Sequence, residues 1–322
     1  MRQLEASMGK AAFQKGIEKY IKKYANDNAD WNNLVEILDA ETPLDMQKWS
    51  TVWVNKSGRP LLKDKIEYDA QNRISKFEIL QEAEDKSANV WPQIFEIGLV
   101  YADKVQVVTV NLKGKSLLLK ELTGLPKPIS VVYNYNGFGY GVFPLDGKNL
   151  ETVLTLKDEV ARASTYSNMY ENTLTGTVLP VKAFDCFVKG IQSEQNELVL
   201  KIITNQTSSV FWKFLTEKQQ NAKQKQLEDI VYERLQANLP GNIKKTLFNL
   251  FSSIAYSDSG KEKLYKIWTK ETVVSGLKLN EDDYTNIAMN LAIFKHEKAA
   301  EILEKTRTTI SSRDLNQHVR AD

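Results

Sequence analysis

Histidine and cysteine are scarce in this sequence. Among 322 residues there are two histidines, His296 and His318, and one cysteine, Cys186. One cysteine cannot form an internal disulfide bond, nor a zinc site built from several thiolates. Two histidines leave little material for an enzyme that depends on histidine as an acid, a base or a metal ligand.

Long apolar runs and a strong net charge are also missing. No stretch approaches the roughly 18 apolar residues of a membrane-spanning helix, and residues 1–20 lack the apolar core of a signal peptide. The 43 basic and 41 acidic residues nearly cancel, which argues against a surface built throughout for nucleic acid. We therefore expect a soluble chain with no membrane span and no nucleic-acid partner. The sequence does not indicate its cellular compartment.

Hydrophobic spacing and turn residues divide the chain into three predicted domains. Residues 1–50 show helical spacing, residues 51–148 show short alternating runs between turns, and residues 149–322 return to helical spacing,. The middle domain is typical of a small antiparallel β-sandwich. Successive helices with short connections predict an antiparallel helical solenoid for the last domain. The predicted fold class is multidomain α+β.

Local signals place the helices within this outline. Apolar residues between Phe13 and Tyr24 recur at helical spacing, Asp30 is the predicted cap of a second helix, and Thr42 the cap of a third with Pro43 in its first turn,. So short a segment makes a small core and indicates the edge of something larger. The helices predicted for the last domain are 157–175, 181–193, 196–214, 217–238, 242–256, 260–270, 281–295 and 297–310.

The residue types that most often carry chemistry favour structural roles here. His296 begins a His-Glu dipeptide, but Ala300 stands where a zinc-peptidase helix needs its second histidine,. We interpret His296 as a surface residue at a helix junction, and His318 as part of a polar tail. Cys186 has no neighbouring base, so we expect a buried structural cysteine.

Other motif-like segments also favour structural interpretations. Residues 136–141 are glycine-rich but lead into residues 142–145, a predicted strand or turn, whereas a phosphate loop must lead into a helix. The lysine-rich segments 10–23 and 218–225 are interpreted as solvated helix faces. Glu228 and Asp229 are adjacent and so point to different helix faces. The sequence thus offers no catalytic, cofactor-binding or metal-ligating residue.

Three segments carry a resemblance to a known family. Residues 9–20 read G-x-x-x-F-x-x-G-I-x-x-Y, Trp49 and residues 53–60 lead to Gly-Arg-Pro, and residues 136–143 combine asparagine, glycine and aromatics. These motifs resemble the aminopeptidase N-like zinc metalloaminopeptidases, from the end of their thermolysin-like catalytic domain to the closing strand of their β-sandwich. Arg59 stands where that family commonly has an aromatic residue.

The resemblance implies that residues 1–50 are the helical end of a catalytic domain whose zinc ligands and glutamate base lie upstream of Met1. No family site residue carries over, so the chain is expected to be inactive alone and to hold no cofactor, with zinc in the full-length parent. The implied partners are the missing N-terminal and catalytic domains and, for the intact enzyme, peptide substrates. Residues 149–322 would cap the cavity in which N-terminal residues are removed from peptides.

A second hypothesis stays open on the residues alone. The chain is then a free-standing interaction module, with a β-sandwich and an α-solenoid but no catalysis. The coding sequence upstream of Met1 discriminates between the two, because an in-frame H-E-x-x-H favours the peptidase and a ribosome-binding site with a stop codon favours the module.

Overall fold

A computed structural model describes residues 1–145 and 147–309, and shows a mixed α+β protein. In these two ranges the chain forms thirteen α-helices and two three-stranded antiparallel sheets, with no closed barrel. The predicted α+β class is confirmed at this level. The chain divides into two compact units, Met1–Thr177 and a second one that begins at Val178. The three domains drawn from the sequence stay a prediction.

Four helices open the first unit: α1 Arg2–Met8, α2 Lys10–Lys23, α3 Trp31–Asp39 and α4 Met46–Val54. Asp30 caps α3 as predicted, since its side chain accepts a hydrogen bond from the Asn33 amide while Asn33 bonds back to Asp30,. The predicted start of the next helix at Thr42 and Pro43 is wrong. Asp45 is the cap of α4, because its carboxylate accepts the Lys48 amide at 2.7 Å,.

The strands of the first unit lie in two sheets. One sheet has the order β1 Pro60–Tyr68, β2 Ile74–Ala83 and β5 Ser116–Leu118, and the other has β4 Val105–Leu112, β3 Gln93–Val100 and β6 Ser130–Tyr133. Alternate residues of β2 are buried, as expected for a strand with one face on a core,. A hydrophobic cluster of this unit draws from both sheets, with Phe77 and Ile79 from one and Phe95 and Ile97 from the other.

Two further helices complete the first unit, α5 Asn149–Thr152 and α6 Glu159–Leu174. The second unit contains seven helices in its described part: α7 Pro180–Ser193, α8 Glu197–Phe214, α9 Glu217–Gln236, α10 Gly241–Ile254, α11 Asp258–Trp268, α12 Glu281–Ile293 and α13 Ala299–Thr309. From α6 onward the bounds differ from the predicted ones by at most two residues. Residue 310, the predicted end of the last helix, lies outside the described residues.

Capping side chains explain why the bounds of these helices could be predicted from the sequence. Thr216 with Gln219 and Asn280 with Asp283 form capping boxes at the starts of α9 and α12,. Proline stands in the first turn of α7,. α8 packs against α7 and α10, and α10 also packs against α9 and α12. In the part of the chain that the structure describes, no helix is both long and apolar enough to cross a membrane.

Candidate functional site beside the helix Met46–Val54

A cleft of about 670 Å³ lies in the first unit between α4 and the chain around β3 and β4. Apolar side chains line much of it, including the half-buried Trp49, Val52, Pro92 and Ile94. Exposed lysines line it as well, at positions 48, 113 and 115. This combination suits a ligand or a segment with both apolar and anionic character.

An aromatic stack connects α4 to the loop after β6. The Trp49 and Trp53 rings stack with centroids 5.2 Å apart, and Tyr140 lies 5.7 Å from Trp53. The Tyr140 hydroxyl donates to the Gly58 carbonyl at 3.0 Å, and the Trp53 indole donates to the Pro92 carbonyl at 3.1 Å. Two of the segments that carry the family resemblance therefore meet here, although about eighty residues of sequence separate them,.

Backbone pairing continues this junction at the start of β1. Leu61 forms an isolated parallel bridge with Val142, and the Val142 amide donates to the Pro60 carbonyl at 3.0 Å. Gly141 has a φ of +125°, and a Cβ there would overlap the Pro60 carbonyl oxygen,. The glycine-rich segment thus begins with a turn and is followed by one paired residue, Val142.

Three buried glutamine side chains each hydrogen-bond to both the N–H and the carbonyl of one backbone residue, as a neighbouring strand would. The side-chain amide of Gln3 accepts a hydrogen bond from the Ile94 N–H at 2.9 Å and donates one to the Ile94 carbonyl at 2.7 Å. This pair attaches α1 to the start of β3. Gln93 makes the same reciprocal pair with the backbone of Tyr140. Gln81 accepts the N–H of Trp91 and donates to its carbonyl. Sequence reasoning missed all three, since an isolated glutamine carries no local signal of burial.

Arg59, the residue that departs from the family motif, links the turn after β2 to α6. Its guanidinium makes a bidentate pair with Glu84, at 2.8 and 3.0 Å, and a further hydrogen bond with Glu171. These hydrogen bonds raise the pKa of Arg59 and hold the pKa of Glu84 below its usual value,.

This pair gives a pH-dependent prediction. Arg59→Met should lower the free energy of unfolding by about 1 kcal/mol at pH 7, a small value because Glu84 is partly exposed,. The folded-state pKa of Glu84 lies below its ordinary value of 4.5, so the stabilisation is complete above that pH and is lost as the pH falls through the folded pKa. The difference between wild type and Arg59→Met, measured by urea denaturation at pH 7 and pH 3, should therefore shrink on acidification. Lys63→Met removes an exposed lysine from Glu82, which keeps its pair with Lys86, and should therefore cost less stability at pH 7 than Arg59→Met does. A pH-independent loss of stability in Arg59→Met would contradict the assignment.

The residues singled out from the sequence lie apart from this junction. His296 is buried rather than on the surface, so that prediction is wrong: its ring stacks on Tyr265 at 4.9 Å, and Nδ1 accepts the Lys298 amide at 3.2 Å. His318 lies outside the described residues. Cys186 is buried as expected, and burial raises its pKa to about 12, which keeps the thiol protonated.

The predicted separation of the adjacent carboxylates is confirmed. Glu228 is buried and accepts the Ser257 amide at 3.0 Å, whereas Asp229 pairs with Lys225 and Lys263. Within residues 1–145 and 147–309, no group of three or more histidine, cysteine or carboxylate side chains is placed to hold a metal ion.

Comparison with known proteins shows an aminopeptidase N-like relationship. The chain is 29% identical over 168 residues to aminopeptidase N of Streptomyces lividans, which covers 48% of this chain and 19% of that protein. It is 25% identical over 216 residues to the tricorn protease-interacting factor F2 of Thermoplasma volcanium and 22% identical over 218 residues to a probable aminopeptidase 1 of Sulfurisphaera tokodaii. Each of these two matches covers 66% of this chain, and 25% and 26% of the respective relatives. The matches thus span about a fifth to a quarter of the relatives' length, and no family model matches the chain.

Proposed function

We propose that this chain is the non-catalytic C-terminal part of a zinc-dependent aminopeptidase that removes N-terminal residues from peptides. The observation that carries the proposal is the similarity to proteins named aminopeptidase, over as much as two thirds of the chain. The junction of Trp53, Gly58 and Tyr140 supports it, because residues chosen for their resemblance to one family form a single contact site.

The proposed architecture is a β-sandwich over residues 51–148 and an α-solenoid over residues 149–322. One hydrophobic cluster, to which both sheets contribute residues, supports the sandwich,. The succession of contacts from α7 to α10 and from α10 to α12 supports the solenoid,. In the intact enzyme this helical domain would cap the active-site cavity, and the partners of this chain would be the remaining domains of the polypeptide and the peptide substrate.

The described residues do not fit a catalytic zinc ion. A catalytic zinc site needs three protein donors from histidine, cysteine or carboxylate side chains within about 2 Å of one ion. The Nδ1 atom of His296 is engaged by Lys298, its ring is stacked on Tyr265, and no cluster of further donors is found in the described ranges. The zinc of the proposed enzyme would therefore be held by other parts of the polypeptide, and no catalytic step is assigned to this chain.

An activity measurement tests the proposal. The purified chain should release no 4-nitroaniline from leucine 4-nitroanilide, with or without added zinc, while circular dichroism confirms that the helices are folded. A polypeptide extended upstream to include an in-frame H-E-x-x-H should hydrolyse the same substrate in a zinc-dependent way. Zinc-dependent turnover by the present chain would contradict its non-catalytic role. An upstream frame without that motif would favour the interaction module.

A further inference from the structure

The cleft beside α4 contains positive charge that no described residue neutralises. Lys48, Lys113 and Lys115 line the cleft and make no ion pair with any residue in the described ranges. The one carboxylate among the lining residues belongs to Asp45, which accepts the Lys48 amide as the cap of α4. The local electrostatics therefore favour an anion over a cation.

The lining between these lysines is largely apolar. Trp49 and Val52 contribute from α4, Val90 and Pro92 from the segment that leads into β3, and Ile94 from the start of β3. A volume of about 670 Å³ is within the range of small-molecule sites in proteins, which are mostly apolar with a few polar groups that fix orientation. A ligand that fills this cleft needs an apolar body as well as a negative charge.

The indole of Trp49 adds an unused hydrogen-bond donor. Its Nε1 atom is buried without an acceptor in the described part of the protein, whereas the Trp31 indole donates to Ser50 and the Trp53 indole donates to Pro92. A buried N–H without a partner costs free energy.

We propose that this cleft binds a small organic carboxylate with an aromatic or branched aliphatic body. The apolar part lies against Trp49, Val52 and Ile94, and the carboxylate lies toward Lys113 and Lys115. The site is independent of the aminopeptidase proposal, since it uses only contacts within the first unit.

Titration with 4-phenylbutyrate tests the preference for an anion, with the neutral 4-phenylbutanamide as its matched partner. Saturable binding of the acid is expected in the millimolar range or below, measured by calorimetry and saturation-transfer NMR. The amide should bind about fivefold more weakly, the ratio expected for two exposed charge contacts. In the variant with Lys113→Gln and Lys115→Gln, the acid should lose that advantage and bind like the amide.

A lysine pair outside the cleft provides the control. The variant with Lys65→Gln and Lys104→Gln removes two exposed lysines of the same unit that do not line the cleft. It should leave the Kd of the acid within about twofold of wild type, because its charges are farther from the site. Equal weakening by both lysine variants would overturn the proposal, as would equal binding of acid and amide to the wild type.

The indole N–H resonances locate the ligand within the chain. The ¹⁵N signal of Trp49 can be assigned from its loss in Trp49→Phe, and it should shift saturably as 4-phenylbutyrate is added to the wild type. The signals of Trp212 and Trp268, which belong to the second unit, should stay in place. An unmoved Trp49 signal at saturation, or an equal shift at Trp212, would place the ligand elsewhere and overturn the proposal.

Discussion

Gly141→Ala should lower the free energy of unfolding by about 3 to 5 kcal/mol, the sum of backbone strain and steric overlap. Gly141 has a φ of +125°, which residues with a Cβ rarely adopt,. Its added methyl group would overlap the Pro60 carbonyl oxygen and lie 2.8 Å from Pro60 Cγ. Neither obstacle is the flexible end of a side chain, so relief requires the backbone to move and the bridge between Leu61 and Val142 to weaken. Urea denaturation followed by circular dichroism measures the effect.

Gly114→Ala is the matched control for this substitution. A Cβ at Gly114 would meet no atom within 4 Å, and the φ of Gly114 lies outside the left-handed region. We expect a change below about 1 kcal/mol, because neither strain nor overlap is introduced. Equal destabilisation by the two substitutions would contradict the assigned role of Gly141, and so would a Gly141→Ala protein with wild-type stability.

Asn168→Ala should cost about 3 kcal/mol, because it leaves the buried Phe143 amide without an acceptor. Asn168 is buried on α6, accepts the Phe143 amide at 2.9 Å and donates to the Phe143 carbonyl at 3.1 Å. Asn172 donates to the same carbonyl at 3.0 Å, so the substitution chiefly deprives the Phe143 amide of its acceptor. The measurement is again urea denaturation, with near-ultraviolet circular dichroism as a check on aromatic packing.

Two further variants make the Asn168 prediction specific. Asn168→Asp keeps an acceptor for the Phe143 amide but places a carboxylate oxygen against the Phe143 carbonyl, so it should also destabilise the fold at pH 7. Asn28→Ala removes an exposed asparagine of the same unit and should change stability by less than about 0.5 kcal/mol. A wild-type denaturation midpoint for Asn168→Ala would contradict the assigned role of this side chain.

The aminopeptidase relationship could be recognised from short motifs, but their joint meaning depended on the fold. The sequence contains Trp53, Gly58 and Tyr140 as separate signals, and nothing in their spacing shows that the Tyr140 hydroxyl reaches the Gly58 carbonyl. It also offered no reason to single out Lys113 and Lys115 except as turn residues. Their position on a cleft with Trp49 follows from the pairing of the strands.

Some predictions failed because a nearby residue competed for the same role. Asp45 caps α4 in place of Thr42, whose hydroxyl accepts the Leu44 amide instead. A carboxylate is at least as good an N-cap as a threonine hydroxyl, so both positions were compatible with the sequence.

His296 was expected on the surface because it follows the end of a helix, but its ring is buried against Tyr265.

The sequence by itself determined the α+β class, the helix bounds from α6 onward and the structural role of Cys186. These properties depend on periodicity, on caps within a few residues and on the absence of a neighbouring base, all of which are local. Only the tertiary structure decided that Gln3 completes β3 at Ile94 and that Asn168 holds Phe143. The first contact spans 91 positions of sequence and the second spans 25. A side-chain amide forms such a contact only after the strands and helices have brought a buried backbone group within hydrogen-bond distance.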